Sequence, residues 1–223
     1  MAKIKKFLRR YTDLPGLIYL LKKRCITLVD PASWDDTNDS HFLTLYRQKE
    51  NFASVLALCF TQESETYHHW RVFADGASGV CISFHRKELL EAAKKQPGLR
   101  ARSVRYLKLK EIGAEPLETW ELPFIKRYPF EPESEFRLLY ATTPKKLETL
   151  DIPIPLSCID RVTLSPWLHK ALSPHLKRML RDIPGCLQLD IARSTLISNE
   201  EWKEAGEVAT LRPTRRAPKN RPR

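Results

Sequence analysis

Apolar and polar positions fall into short blocks whose period changes at almost every turn signal. After Asp13, the residues Leu17, Leu20 and Leu21 share one side at helical spacing; Asp13 suits an N-cap, and Lys22, Lys23 and Arg24 suit a last turn. The pattern predicts a helix there, then a strand at Ile26 to Val29, a polar loop from Asp30 to Asp39 and a helix around Phe42 to Asn51. Ser54 to Phe60 is apolar without interruption after its first residue, which predicts a strand buried on both faces. Ser64 then reads as the cap of a helix with Tyr67, Trp70, Phe73 and Ala74 on one face and Gly76 as its stop. Gly79 to Phe84 predicts a second hydrophobic strand, Lys87 to Lys95 a helix and Ser103 to Leu109 a strand. Over Glu133 to Tyr140 a period of two puts Glu133, Glu135 and Arg137 on one face of a strand and Ser134, Phe136, Leu138 and Tyr140 on the other. Ile159 to Leu164 reads as strand, Trp167 to Leu180 as a helix limited by Pro174, and Leu187 to Ile191 as the last strand. Interleaved strands and helices predict an α/β or α+β fold, a single domain with a central mixed sheet flanked by helices.

Composition adds less than the distribution of charge. With 42% hydrophobic and 29% charged residues over 223 positions, the chain is ordinary for a globular protein, which excludes wholesale disorder. No stretch approaches the roughly eighteen apolar residues of a spanning helix. The basic N-terminus lacks the apolar core of a secretory signal, so a cytoplasmic chain without a membrane partner is expected. The formal charge of +11 is concentrated at the ends: five Lys or Arg in residues 1–10 and six in residues 212–223, with no acid in either segment. Setting those eleven aside from the 38 basic residues leaves 27 against 27 acidic ones, so the body is formally neutral. Residues 1–205 are therefore read as one globular domain and 206–223 as a disordered, Pro/Arg-rich tail that attracts polyanions, including nucleic acid without sequence preference. Five cysteines in apolar surroundings, odd in number and without CxxC spacing, read as buried free thiols. The adjacent pair His68-His69 points in different directions on a helix, so no metal is expected.

Several short motifs then occur in a recognisable order: Arg9-Arg10-Tyr11-Thr12, the loop Asp30-Pro31 to Trp34-Asp35-Asp36 and Asn38-Asp39, Leu58-Cys59-Phe60-Thr61, His69-Trp70 with Phe73-Ala74, Gly79-Val80-Cys81-Ile82, Lys126-Arg127-Tyr128 with Glu131, Glu133, Glu135-Phe136-Arg137, and Leu164-Ser165-Pro166. Together they resemble a bacterial domain family of unknown function, the one numbered 2971. The chain departs from that pattern at Ser40-His41, where relatives continue with Pro and an acidic residue. The resemblance implies a phage-defence or mobile-element setting and no particular reaction.

More loosely, Tyr11-Thr12, the helix after it and the late Glu133-x-Glu135 resemble ADP-ribosyltransferases. That likeness implies NAD as substrate. Cleaving the nicotinamide–ribose bond builds positive charge on the ribose, which a fixed carboxylate stabilises. It assigns Glu133 or Glu135 to that carboxylate, Arg10 or Arg137 to a phosphate grip, Tyr11 or Trp70 to ring stacking, and Thr12 to a hydrogen bond with ribose or amide. Each residue has a plainer reading as well. Glu133, Glu135 and Arg137 make an ordinary solvated ionic stripe, Trp70 an ordinary core residue, His69 a helix-surface or core histidine, and Arg10 a surface charge. Asp35, Asp36 and Asp39 offer oxygens to Mg²⁺, and they are equally what turns and caps require. The competing class of function is a non-catalytic module that holds nucleic acid or a protein partner through its basic ends.

Overall fold

A computed structural model describes residues 5–74, 76–114 and 116–211. The chain runs through β1 (Phe7–Asp13), α1 (Leu14–Lys23), β2 (Cys25–Val29), α2 (Thr37–Lys49), β3 (Ser54–Thr61), α3 (Tyr67–Phe73), β4 (Gly79–His85), α4 (Arg86–Ala93), β5 (Arg100–Ser103), β6 (Arg105–Leu107), β7 (Ile125–Arg127), β8 (Glu135–Thr142), β9 (Thr149–Pro153), β10 (Ile159–Leu164), α5 (Ser173–Arg181), β11 (Ile191–Arg193) and α6 (Glu200–Leu211). Nine strands form one sheet in the order β11-β10-β4-β1-β3-β2-β9, with β8 pairing β3 and β5 pairing β8. All pairings in it are antiparallel except β10 with β11, so the sheet is mixed; β6 and β7 make a separate parallel pair. This is the expected mixed α/β domain with helices against a central sheet. Among the described residues no helix is long and apolar enough to cross a membrane.

The two faces of the sheet are separate environments. Alternation sends Leu56, Leu58 and Phe60 of β3 and Phe136 and Leu138 of β8 into the main core, which Leu17, Leu20 and Leu21 of α1 and Leu89 of α4 also enter. The opposite face carries Val55 and Ala57 of β3 and Leu139 of β8 under Leu43 and Tyr46 of α2. Farther along the same face, at the register pairs Cys59↔Arg137 and Thr61↔Glu135, the residues become polar. A third, smaller cluster joins Tyr11, Trp70, Ala74 and Cys81 below α3.

Asp13 caps α1 as anticipated, accepting from the Gly16 amide at 2.8 Å. Other boundaries differ from the sequence reading for identifiable reasons. The segment 7–13 was counted as basic charge, yet it is strand β1, in full register with β4. Thr66 caps α3 in place of Ser64, and only Trp70 and Ala74 of the anticipated apolar face are buried; Tyr67 and Phe73 stay exposed. Pro174 opens α5 instead of limiting it, because a first-turn position needs no amide hydrogen. The last strand lies at Ile191–Arg193, sharing only Ile191 with the expected span, where it pairs with β10. Residues 206–211, read as the start of the tail, continue α6, while 212–223 lie outside the described residues.

Candidate functional site

Strand β3 gives its whole length on one edge to β8, so β1 and β2 must share the other edge. They do so at separate points, β1 at the C-terminal end through Arg9↔Thr61 and β2 at mid-strand through Val29↔Ala57. Between them β3 lacks a strand partner, and the Cys59 carbonyl accepts instead from Arg10 Nη1 at 3.4 Å. A cavity of about 600 Å³ opens at this notch, a size suited to a nucleotide-like ligand. Arg9, Arg10 and Tyr11 approach it from β1, Cys59 and Thr61 from β3, and Trp34 with Asp36 from the loop before α2. Lys126, Phe130, Glu133 and Glu135 complete the wall.

Local backbone chemistry explains how the charged wall is assembled. Asp36 caps α2, its Oδ1 accepting from the amides of Asn38 (3.1 Å) and Asp39 (3.3 Å), which starts the helix there and points Asp39 inward. Glu133 ends a 3₁₀ turn, Tyr128–Glu133, and Ser134 at φ 46° makes the left-handed step from that turn into β8. Glu133 and Glu135 therefore flank a backbone reversal, not two positions of one strand. Arg137, on β8, is fully buried: Nη1 and Nη2 donate to Asp39 Oδ1 and Oδ2 at 2.9 and 2.6 Å, Nε donates to Glu135 Oε1 at 2.7 Å, and Nη1 also reaches the Pro123 carbonyl at 2.7 Å. Lys126 Nζ donates to Glu133 Oε2 at 2.7 Å and stands 3.5 Å from Glu135, 3.8 Å from Asp39 and 3.9 Å from Asp36. The Trp34 and Phe130 rings lie by the Arg137 and Lys126 cations at 5.1 and 4.8 Å.

Three buried carboxyls thus face two buried cations, with Asp36 adding a fourth acid at the rim. Burial alone raises Asp39, Glu133 and Glu135. For Glu135 the charges of Arg137 and Lys126 outweigh it and hold the group below the usual carboxylate range. For Asp39 and Glu133 burial prevails, against Arg137 in one case and Lys126 in the other, and both lie above that range. Burial alone would lower Lys126, but Glu135, Glu133 and Asp39 raise it; Arg137 is raised as well, chiefly by Glu135 against its own burial. Burial also pushes the Cys59 thiol, which lies against Glu135, well up. Among the described residues two buried side-chain oxygens have no hydrogen-bond partner: Asp36 Oδ2, which stands 3.9 Å from Lys126 Nζ beside the cavity, and the Tyr11 hydroxyl, in the cluster with Trp70 and Cys81.

Of the residues singled out from the sequence, Arg10, Tyr11, Glu133 and Glu135 come together in this cavity. Arg137 is not a wall residue: it sits behind Glu135, which corrects the picture of an exposed phosphate grip. Trp70 is wholly buried, its Nε1 donating to Glu65 at 2.6 Å, so its ring has no free face for stacking. Thr12 lines a separate hollow with Arg10 and Tyr19. The solvated-stripe reading of Glu133, Glu135 and Arg137 does not hold, since all three are buried. Sequence reasoning missed Lys126 and read Asp39 as turn or cap chemistry or an oxygen for Mg²⁺, not as a partner of Arg137. The motif Lys126-Arg127-Tyr128 carried the only hint of the first, and the Asp36-x-x-Asp39 spacing of a cap with an acid in the first turn carried a hint of the second. Among the described residues no three His, Cys, Asp or Glu side chains are grouped to hold a metal ion.

No family model matches the chain, and no curated protein matches it. Among solved structures the fold is similar to a DarT protein of Thermus sp. 2.9 in complex with NAD+, at 10% identity and a TM-score of 0.46, covering 87% of this chain and 98% of that one. The same protein in complex with ADP-ribosylated ssDNA gives 9% identity and 0.45 over 85% and 94% of the two chains. Its complex with carba-NAD+ gives 9% and 0.44 over 86% and 97%. A likeness at this level carries over neither activity nor substrate.

Proposed function

We propose that the notch cavity is the donor site of an enzyme that breaks the nicotinamide–ribose bond of NAD, passing the ADP-ribosyl group to an acceptor nucleophile or to water. The observation that carries this reading is the surplus of buried carboxyl groups over buried cations at one wall of a nucleotide-sized cavity. A buried negative surplus must either bind a proton or be met by positive charge from a ligand. The nicotinamide of NAD is a pyridinium cation, and as it leaves, its charge moves to the ribose carbon. A site poised for a cation before and during bond cleavage stabilises that transition state without reorganising.

The roles follow from the two carboxyls' different surroundings. Glu135, fixed by the Arg137 Nε bond and kept ionised, faces the developing oxocarbenium ion. The glycosidic C–N bond breaks with its electron pair staying on the nicotinamide nitrogen, which departs neutral. Glu133, raised by burial and held by Lys126, takes the proton that the incoming hydroxyl or water releases as its oxygen bonds to the ribose carbon. Arg9 and Arg10 serve the pyrophosphate, since both line the cavity from β1 and guanidinium forks suit phosphate oxygens. Trp34, Phe73 and Phe130 supply ring surfaces, and the free acceptor on Asp36 suits a ribose hydroxyl or carboxamide N–H.

Nicotinamide release from NAD tests the reading. Wild type should release it, and Glu135→Gln should lose roughly 10²–10³-fold in kcat while still binding NAD, because the amide oxygen continues to accept from Arg137. A wild-type protein that neither binds NAD nor releases nicotinamide contradicts the proposal.

A further inference from the structure

We propose that Asp39, from the loop–helix junction that resembled simple turn chemistry, is a positioning residue that sets the orientation of Glu135 through the Arg137 guanidinium. This inference rests on the function proposed above and concerns the same site: Asp39 borders the cavity, and both of its oxygens are taken by Arg137.

The geometry is that of a relay with one flat rigid member. A guanidinium is planar, with its donors fixed relative to one another, so holding two of its nitrogens fixes the direction of the third. Asp39 takes Nη1 and Nη2 together, at 2.9 and 2.6 Å, in the bidentate form that defines a plane. The Pro123 carbonyl, also on Nη1, restricts rotation about that plane. What remains is Nε, which donates to Glu135 Oε1 at 2.7 Å. Arg137 is fully buried and Asp39 nearly so, with side chains exposed by 0% and 1%, so water does not substitute for either partner. A carboxylate that must sit beside one ribose carbon gains from such a brace, since a displacement of about 1 Å remote from the chemistry can cost on the order of 10²-fold in rate.

Asp39 has a second effect that a purely structural brace would lack. Its charge reaches Glu133 and raises that carboxyl, together with burial and Glu135 and against Lys126. The charged and titratable groups around Glu133 are Lys126 from β7, Glu135 and Arg137 from β8, Asp36 and Asp39 from the start of α2, Tyr106 from β6 and, at its backbone carbonyl, His69 from α3. Neutralising Asp39 removes one of the influences that lift Glu133.

Two variants and two readouts test this. Asp39→Asn should lower kcat for nicotinamide release by roughly 10²-fold with KM for NAD little changed, and shift the acid limb of the pH–kcat profile to lower pH. Asp39→Glu keeps the charge but pushes the guanidinium plane; it should lower kcat while leaving the acid limb in place. The proposal is overturned if folded Asp39→Asn keeps wild-type kcat and acid limb, or if kcat falls only in step with the folded fraction while the acid limb stays fixed. Should Asp39→Asn fail to fold, wild-type kcat in Asp39→Glu overturns it. If wild type is inert towards NAD, the proposed function fails, and crystal structures of wild type and Asp39→Asn still decide the relay: a Glu135 carboxylate turned from its wild-type position supports it and an unmoved one rejects it.

Discussion

A guanidinium shut away from water has to find every strong hydrogen bond inside the protein, and Arg137 finds its own in Asp39, Glu135 and the Pro123 carbonyl. Removing one partner of such a buried pair typically costs about 3–5 kcal/mol, because the remaining charge is stranded. Arg137 and its acids therefore depend on one another for stability, and removing any one strands the rest. His69 illustrates the opposite case, a titratable group that the fold keeps neutral. Burial lowers its pKa below 6.5, Thr66 lies 2.7 Å from Nδ1, and Thr61 lies 3.4 Å from Nε2 while donating its own hydroxyl proton to the Glu133 carbonyl. With its folded pKa lowered, the ring contributes stability that is fully present above about 6.5. That stability is lost as pH falls towards the folded pKa, because the unfolded chain takes up a proton the native ring refuses. Melting temperature should thus decline from pH 7.5 to 5.5, and His69→Gln should flatten that part of the curve. An unchanged slope in the variant would remove His69 from the cause.

Among the elements, α2 is what brings Asp36 and Asp39 to the cavity. Its cap, Asp36, uses one oxygen on the backbone and leaves the other without a partner at the cavity wall, so capping and ligand binding are separable. Asp36→Ala should cost about 1 kcal/mol in urea unfolding. Asp36→Ser should keep most of that stability, and both variants should weaken NAD binding in titration calorimetry. Equal NAD affinity in Asp36→Ser and wild type would show the second oxygen to be idle. How far these elements were legible in the sequence follows from the same physics. Ser54–Thr61 and Gly79–His85 announced themselves because a strand covered on both faces needs an uninterrupted apolar run. β1 did not, since Arg9 and Arg10 break its pattern for the sake of the cavity. Asp39 lies 98 positions from Arg137, and no local spacing encodes a pairing made across the sheet.

Taken as one object, the protein turns a sharing of one strand edge into a cavity. Because β1 and β2 both pair with β3 and leave a gap at Cys59, the sheet itself makes the hollow, and loops only furnish its walls. The N-terminal positive charge that read as a sticky end is partly structural: Arg9 donates to the Glu63 carbonyl at 2.7 Å and Arg10 turns into the notch. That brings cationic groups from β1 and carboxyls from the start of α2 and of β8 to the lining of one cavity, a mixture that suits a ligand anionic at its pyrophosphate and cationic at its nicotinamide. A crystal structure of the Glu135→Gln protein with NAD would examine this match in full. The expected result is pyrophosphate oxygens within hydrogen-bond distance of Arg9 or Arg10 and the nicotinamide-bearing ribose carbon beside the substituted side chain. NAD bound elsewhere, or lying in the notch with its nicotinamide at the arginines, would contradict the account.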